Sequence, residues 1–99
     1  MTRSQYREHL MRLSDDELAH EVARRLSYYS PMSERERGRE VTAGMYGLCW
    51  EECCARGTGV WARGQALRAA EVAALAEHNR AALERIEGRA ASTLPGMIE

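Results

Sequence analysis

The stretch SDDELAHEVARRLSYYSP, from Ser14 to Pro31, decides the fold class. Ser14 can cap a helix while Glu17 reaches back to the backbone amide of Ser14, which is the arrangement of a capping box. Proline cannot continue a helix, so Pro31 marks its end. Between these signals, apolar side chains recur every three or four residues, at Leu18, Val22, Leu26 and Tyr29. The stretch therefore predicts an amphipathic α-helix.

The segments on both sides have the same helical periodicity. Upstream, residues 4–13 predict a helix with Tyr6, Leu10 and Leu13 on one face. Downstream, Ser33 and Glu36 repeat the capping pattern and predict a helix that runs to about Ala55, with Gly57 as its C-terminal cap. The apolar face of this helix consists of Val41, Met45, Leu48 and Cys49. We attribute its three internal glycines to close helix packing rather than to a hinge: Gly38, Gly44 and Gly47.

The remaining sequence predicts a connector and one more helix. Residues 57–64, GTGVWARG, read as a connector that is partly helical from Val60 onward. Residues 65–87 are rich in Ala, Glu, Arg and Leu, which favour a helix. The sequence therefore predicts an all-α fold, a compact bundle of three to four helices. We assign residues 1–92 to a single helical domain and residues 93–99 to a flexible C-terminal tail.

The last predicted helix has the spacing of a coiled-coil seam. Successive members of the seam are separated alternately by three and four residues, as in a heptad repeat. They are Val72, Leu75, Asn79, Ala82 and Ile86. A lone Asn at such a position can face its symmetry mate, so we expect self-association through a parallel seam, giving a homodimer. The alternative is a helix that packs within its own monomer, with Asn79 at the edge of the core. Leu, Ile, Val and Phe number only fifteen, and such a thin core is often completed by a partner or a second copy.

Composition bounds the class of protein. No run approaches the roughly 20 apolar residues that a membrane helix needs. The N-terminal residues lack the apolar block of a signal peptide, so we expect a cytoplasmic protein. All fourteen basic residues are Arg, and the net charge is −1. No global positive field therefore attracts nucleic acid, and such binding would need a local patch.

The cysteines do not predict a metal site or an enzyme. Cys49 and Cys53 are four residues apart and can face one way on a helix, but Cys54 points elsewhere. A structural zinc site needs four ligands, and no second pair of ligands accompanies them. Glu51 and Glu52 oppose the thiolate form that a nucleophilic cysteine needs. We expect free thiols, no metal, no cofactor and no enzymatic activity.

The region around the cysteines is also rich in residues that are common in protein interfaces. Trp and Arg are enriched at binding hot spots, and we predict a partner-binding surface of Trp50, Arg56, Trp61 and Arg63. Of the two tryptophans, Trp50 is the better candidate for the core and Trp61 for the surface.

The predicted function is that of a small non-enzymatic regulator or inhibitor that occludes the surface of another protein. A short, Arg-only chain without a recognisable motif is typical of accessory proteins of phages and mobile elements, among them anti-CRISPR-like inhibitors of host defence. The alternative is a small nucleic-acid-binding or transcription-regulating protein, in which Arg56 and Arg63 bind phosphate and Trp61 stacks on a base.

Overall fold

The computed structural model describes residues 1–57 and 59–93, with side chains up to Gly88. Five helices and no strand lie in these residues: α1 (Arg3–Arg12), α2 (Asp15–Tyr29), α3 (Glu34–Ala43), α4 (Met45–Arg56) and α5 (Val60–Thr93). The predicted all-α class is confirmed, and a helical bundle fits. The predicted count of three to four helices is wrong. Of the predicted tail over residues 93–99, only Thr93 is described, as the last residue of α5, and the rest lies outside the described residues.

The chain divides into two compact units, and the boundary between them along the sequence falls within α5. The first comprises Met1–Ala69, with α1 to α4 and the beginning of α5. The second begins at Ala70, and its described part is a single helical segment. One helical segment has no core of its own, so the division does not by itself define a second domain. The assignment of residues 1–92 to one domain stays a prediction.

The first two helices begin at reciprocal caps. The Glu17 amide donates to the Ser14 hydroxyl over 3.1 Å, and the Ser14 amide donates to the Glu17 carboxylate over 2.9 Å. The capping box predicted for α2 is therefore present. Thr2 and Gln5 form a second capping box at the start of α1, which the sequence analysis missed. Each box satisfies two backbone amides that have no partner within the helix.

The predicted continuous helix from Ser33 to Ala55 is wrong, because the backbone is extended at Gly44 and separates α3 from α4. A side chain at Gly44 would collide with the carboxylate of Glu40. That carboxylate accepts the backbone N–H of Tyr46 over 3.1 Å, so Glu40 caps α4 in place of the missing side chain. The break lets α3 fold back against α4.

Close packing explains only some of the glycines. At Gly47 an added Cβ would collide with the backbone carbonyl of Val41, so glycine is required where α3 approaches α4. At Gly38 an added Cβ would meet nothing within 4 Å. The prediction of close packing is thus confirmed for Gly47 and wrong for Gly38. Gly57 ends α4 in the left-handed conformation, with φ of 59°, as its predicted role as a C-terminal cap requires.

The core of the first unit is small and is built mainly from α1, α2 and α4. Its largest fully buried side chains are Leu10, Leu18, Val22, Cys49 and Val60. The start of α5 closes the core, because Val60 is buried and Gly64 lies against Val22 and the Ala19 carbonyl with no room for a Cβ. Helices that meet at glycine and alanine can approach closely, which compensates for the low number of large aliphatic residues. None of the helices in the described residues has the length and apolar character that a membrane crossing requires.

Candidate protein-binding surface

Four aromatic side chains from three helices form a continuous row. Tyr29 of α2 stacks on Tyr46 of α4, with ring centroids 4.1 Å apart and an interplanar angle of 16°. Tyr46 meets Trp61 of α5 edge to face at 5.2 Å. Trp61 meets Trp50 of α4 edge to face at 5.1 Å. We call Tyr29, Tyr46, Trp61 and Trp50 the aromatic row. Offset and edge-to-face contacts are the favourable geometries for aromatic rings, so each ring orients the next.

Three rings of the row are half-buried and the fourth is exposed. Tyr29, Tyr46 and Trp61 are half-buried, and Trp61 packs against the core cluster. Trp50 is 47% exposed. The expectation that Trp50 is a core residue and Trp61 a surface residue is therefore wrong, and the two roles are reversed. The reason is local: α5 begins at Val60, so Trp61 lies in a helical turn against the core and not in a loop.

Helix α4 places Trp50 on its outer side. Leu48, Cys49 and Cys53 are buried in the core, whereas Trp50, Glu51 and Cys54 are exposed. Trp50 makes one ring contact, with Trp61, and presents about half of its surface to solvent. Burial raises the pKa of Tyr46, with Tyr29 and Cys49 adding to the effect, so its hydroxyl stays neutral within the row.

At the opposite end of the row, an arginine covers the last ring. The guanidinium carbon of Arg37 lies 5.5 Å from the Tyr29 centroid, within the range of a cation–π contact. Arg37 also donates to the backbone carbonyl of Ser30 over 2.6 Å. The row thus has a charged end at Arg37 and an apolar end at Trp50.

Arg56, predicted to contact a partner, is instead surrounded by acceptors from its own chain. Its guanidinium donates to Asp15 over 3.0 Å, to Glu52 over 3.1 Å and to the Leu10 carbonyl over 2.8 Å. Its side chain is only 15% exposed. Arg56 therefore connects the end of α1, the start of α2 and the end of α4. Its guanidinium is part of the fold of the first unit.

Arg63 is paired in a similar way. It forms an ion pair with Asp16, and its side chain is 48% exposed. Two adjacent aspartates at the start of α2 therefore each pair with one arginine. Asp15 pairs with Arg56, 41 residues away, and Asp16 pairs with Arg63, 47 residues away. This pairing could not be predicted from the sequence, because nothing local to the arginines points to the acidic start of α2. The partner-binding role of Arg56, Trp61 and Arg63 stays a prediction, and all three side chains also contact residues of their own chain.

The cysteines lie in two environments. Cys49 and Cys53 are buried and Cys54 is exposed, and all three are free. Burial, with a smaller contribution from the neighbouring Cys53, raises the pKa of the Cys49 thiol to about 12. Burial also raises the pKa of Cys53. Neither buried thiol is set up as a nucleophile, because neutral pH leaves both protonated. Where the structure describes side chains, no group of three or more His, Cys, Asp or Glu residues could hold a metal ion.

Comparison with protein-family models, with curated proteins and with solved structures finds no match to this chain. Its function is therefore inferred from its own residues.

A second apolar surface lies on α5. Three large members of the predicted self-association seam are exposed: Val72 by 48%, Leu75 by 58% and Ile86 by 64%. Asn79 is exposed and Ala82 is half-buried. Leu83, which the sequence analysis did not include, is 55% exposed. It follows Asn79 by four residues, so the helical periodicity that placed the other members could have found it.

Proposed function

We propose that this protein is a small non-enzymatic regulator that binds another protein through Trp50 and thereby occludes the partner's surface. The observation that carries the proposal is the exposed Trp50 at the end of the aromatic row. An exposed Trp that is already oriented by its neighbours is a favourable anchor for a protein contact. Its hydrophobic area is available, and few rotamers are lost on binding.

The chemistry of the row indicates what kind of partner fits. Its exposed end is the apolar ring of Trp50, so the complementary feature is an apolar pocket or groove on the partner. Trp side chains at the centre of interfaces characteristically fill such pockets and are surrounded by contacts that exclude water. Trp61 lies behind Trp50 as its support and packs against the core of the first unit.

The biological role that we propose is an inhibitor from a phage or mobile element, of the anti-CRISPR-like kind that acts against host defence. Composition supports this proposal: all fourteen basic residues are Arg and the net charge is −1. An occluding inhibitor needs a surface and no catalytic group, which agrees with the protonated state of the two buried thiols.

The nucleic-acid alternative has less support. It requires Arg56 and Arg63 to bind phosphate, and both already pair with carboxylates of α2. A phosphate would have to replace Asp15 and Glu52 around Arg56, which would remove the bond that connects α4 to the start of α2. We therefore favour protein binding, and affinity capture with and without nuclease distinguishes it from nucleic-acid binding.

Affinity capture with nuclease treatment tests the proposal. Tagged wild-type protein, Trp50→Ala and Met11→Ala are incubated with lysate of the source organism, once with and once without nuclease treatment. Met11 is a matched control because it is an apolar side chain, 64% exposed, on α1 and outside the aromatic row. We expect a protein that wild type and Met11→Ala retain and that Trp50→Ala loses. Retention of the same proteins by all three variants would contradict the proposal. Nucleic acid captured from the untreated lysate, with no protein captured from the nuclease-treated lysate, would also contradict it.

A further inference from the structure

We infer that two copies of this chain pair through α5 in antiparallel orientation, by the exposed stripe of Val72, Leu75, Asn79, Leu83 and Ile86. This inference is independent of the protein contact proposed at Trp50. It also replaces the parallel seam expected from the sequence alone. Four of the five side chains are large and apolar, and each of these is at least 48% exposed.

The stripe is symmetric about its polar centre. Val72 and Ile86 lie seven residues before and after Asn79, and Leu75 and Leu83 lie four residues before and after it. With about 100° of turn per residue, all four lie within roughly 40° of the direction of Asn79. An antiparallel pair related by a twofold axis brings the beginning of one stripe against the end of the other. A stripe that is symmetric about its centre is therefore complementary to itself in this orientation.

Charge complementarity selects the antiparallel orientation. Glu71 and Arg85 lie on the same edge of the stripe and are 14 residues apart. In antiparallel helices the same edges face each other, and a twofold axis at Asn79 places Val72 opposite Ile86 of the second copy. In this register Glu71 lies within about 3 Å, measured along the helix axis, of the level of Arg85 of the second copy, so the two side chains can pair, and the twofold axis repeats the pair. Glu71 already has an interaction within its own chain, which this pairing would share.

Parallel pairing offers no such charge pair. In parallel helices, residues of the same number lie side by side, and 14 residues correspond to about 21 Å along the axis. Glu71 and Arg85 are then too far apart to interact. On the facing edge of a parallel partner, Glu71 would meet Ala76, and His78 would meet Leu83. The two orientations therefore respond differently to a change of charge at Glu71.

The length of the stripe sets the expected affinity. Residues 72–86 correspond to about 21 Å of helix, roughly two heptads, which is short for a coiled coil. We therefore expect a reversible dimer that forms at micromolar concentration and dissociates on dilution. Asn79 lies at the centre of this contact, so Asn79→Leu should tighten the dimer at least about tenfold, since a buried polar residue at such a position lowers stability.

A charge exchange followed by sedimentation velocity tests the orientation. Glu71→Arg and Arg85→Glu each create two like-charge contacts in an antiparallel dimer, and each should weaken dimerisation by about tenfold. Mixing the two single variants restores opposite charges at both contacts, and so does the double variant, so both should return to within about threefold of wild type. Glu84→Arg is the matched control: it makes the same charge change about 140° away from the stripe and should have no effect.

Circular dichroism of each variant verifies that the helices are retained. A wild-type protein that stays monomeric at the highest soluble concentration overturns the inference. A dimer that Glu71→Arg weakens no more than Glu84→Arg, or that the double variant fails to restore, also overturns it.

Discussion

Trp61 supports Trp50: the two rings meet edge to face with centroids 5.1 Å apart and an interplanar angle of 86°. The contact joins a half-buried ring, anchored on the core, to a ring that is 47% exposed. One tryptophan therefore serves the fold and the other remains available to a partner. The two substitutions to alanine should separate these roles.

Trp61→Ala should destabilise the protein by about 2–3 kcal/mol, because it removes packing against the core and two aromatic contacts. Trp50→Ala should destabilise it less, by about 1 kcal/mol, because it removes one aromatic contact and a side chain that is already 47% exposed. Urea unfolding of the two variants provides the measurement. Equal losses of unfolding free energy would contradict the assignment of separate roles to the two rings.

Gly47→Ala should destabilise the protein by about 1–3 kcal/mol, because the added Cβ meets the backbone carbonyl of Val41 and α3 must shift away from α4. Gly38→Ala is the matched control within α3, where the space around an added Cβ is open. It should stabilise the protein by about 0.5–1 kcal/mol, because alanine favours a helix interior more than glycine does. The unfolding temperature should fall for Gly47→Ala and rise for Gly38→Ala. Shifts in the same direction would argue against the close approach at Gly47.

Arg56→Lys should destabilise the protein by about 1–2 kcal/mol although the charge is kept. A lysine ammonium cannot reproduce the planar geometry with which the guanidinium reaches Asp15, Glu52 and the Leu10 carbonyl. Arg35→Lys on the exposed surface of α3 is the control and should leave stability within about 0.5 kcal/mol of wild type. Denaturant midpoints that are the same for the two variants would show that Arg56 acts only through its charge.

Stability should fall as the pH rises above about 9. The pKa of Cys49 is raised from an ordinary 9.0 to about 12 by burial, so the folded state keeps a proton that the unfolded state loses. The contribution is complete below pH 9 and is lost as the pH rises toward 12. The raised pKa of Tyr6, caused first by burial and then by its hydrogen bond to Glu21, acts in the same direction at higher pH. Unfolding at a series of pH values measures the slope, and Cys49→Ala should make it shallower between pH 9 and 10.

The parts of the fold that could be predicted from the sequence are those with local causes. Ser14 and Glu17 are three residues apart, and their capping box could be predicted because both partners lie in one turn. The break at Gly44 could not, because its cause is a carboxylate cap from Glu40 and the folding back of α3. Glycine within a helical pattern is compatible with a continuous helix, so the pattern alone does not reveal a break.

The candidate site could be predicted only in its residue types. Trp50 and Trp61 were both identified, but exposure is set by which face of α4 and α5 meets the core, and the sequence suggested the reverse order. The aspartates that pair with Arg56 and Arg63 lie more than 40 residues away, at the start of α2. Ion pairing between residues so far apart depends on tertiary structure. The sequence alone does not reveal whether a charged side chain faces solvent or pairs with another residue of the chain.

The hydrogen bond from Arg56 to the Leu10 carbonyl couples the local unfolding of two helix ends. That carbonyl lies in the last turn of α1 and also accepts the Leu13 amide over 3.2 Å. The end of α1 therefore cannot fray without also releasing a residue in the last turn of α4 that is 46 positions along the chain. Helix ends usually exchange their amide hydrogens first and independently. Here the two ends should exchange together, as one cooperative unit formed by elements that are distant in sequence.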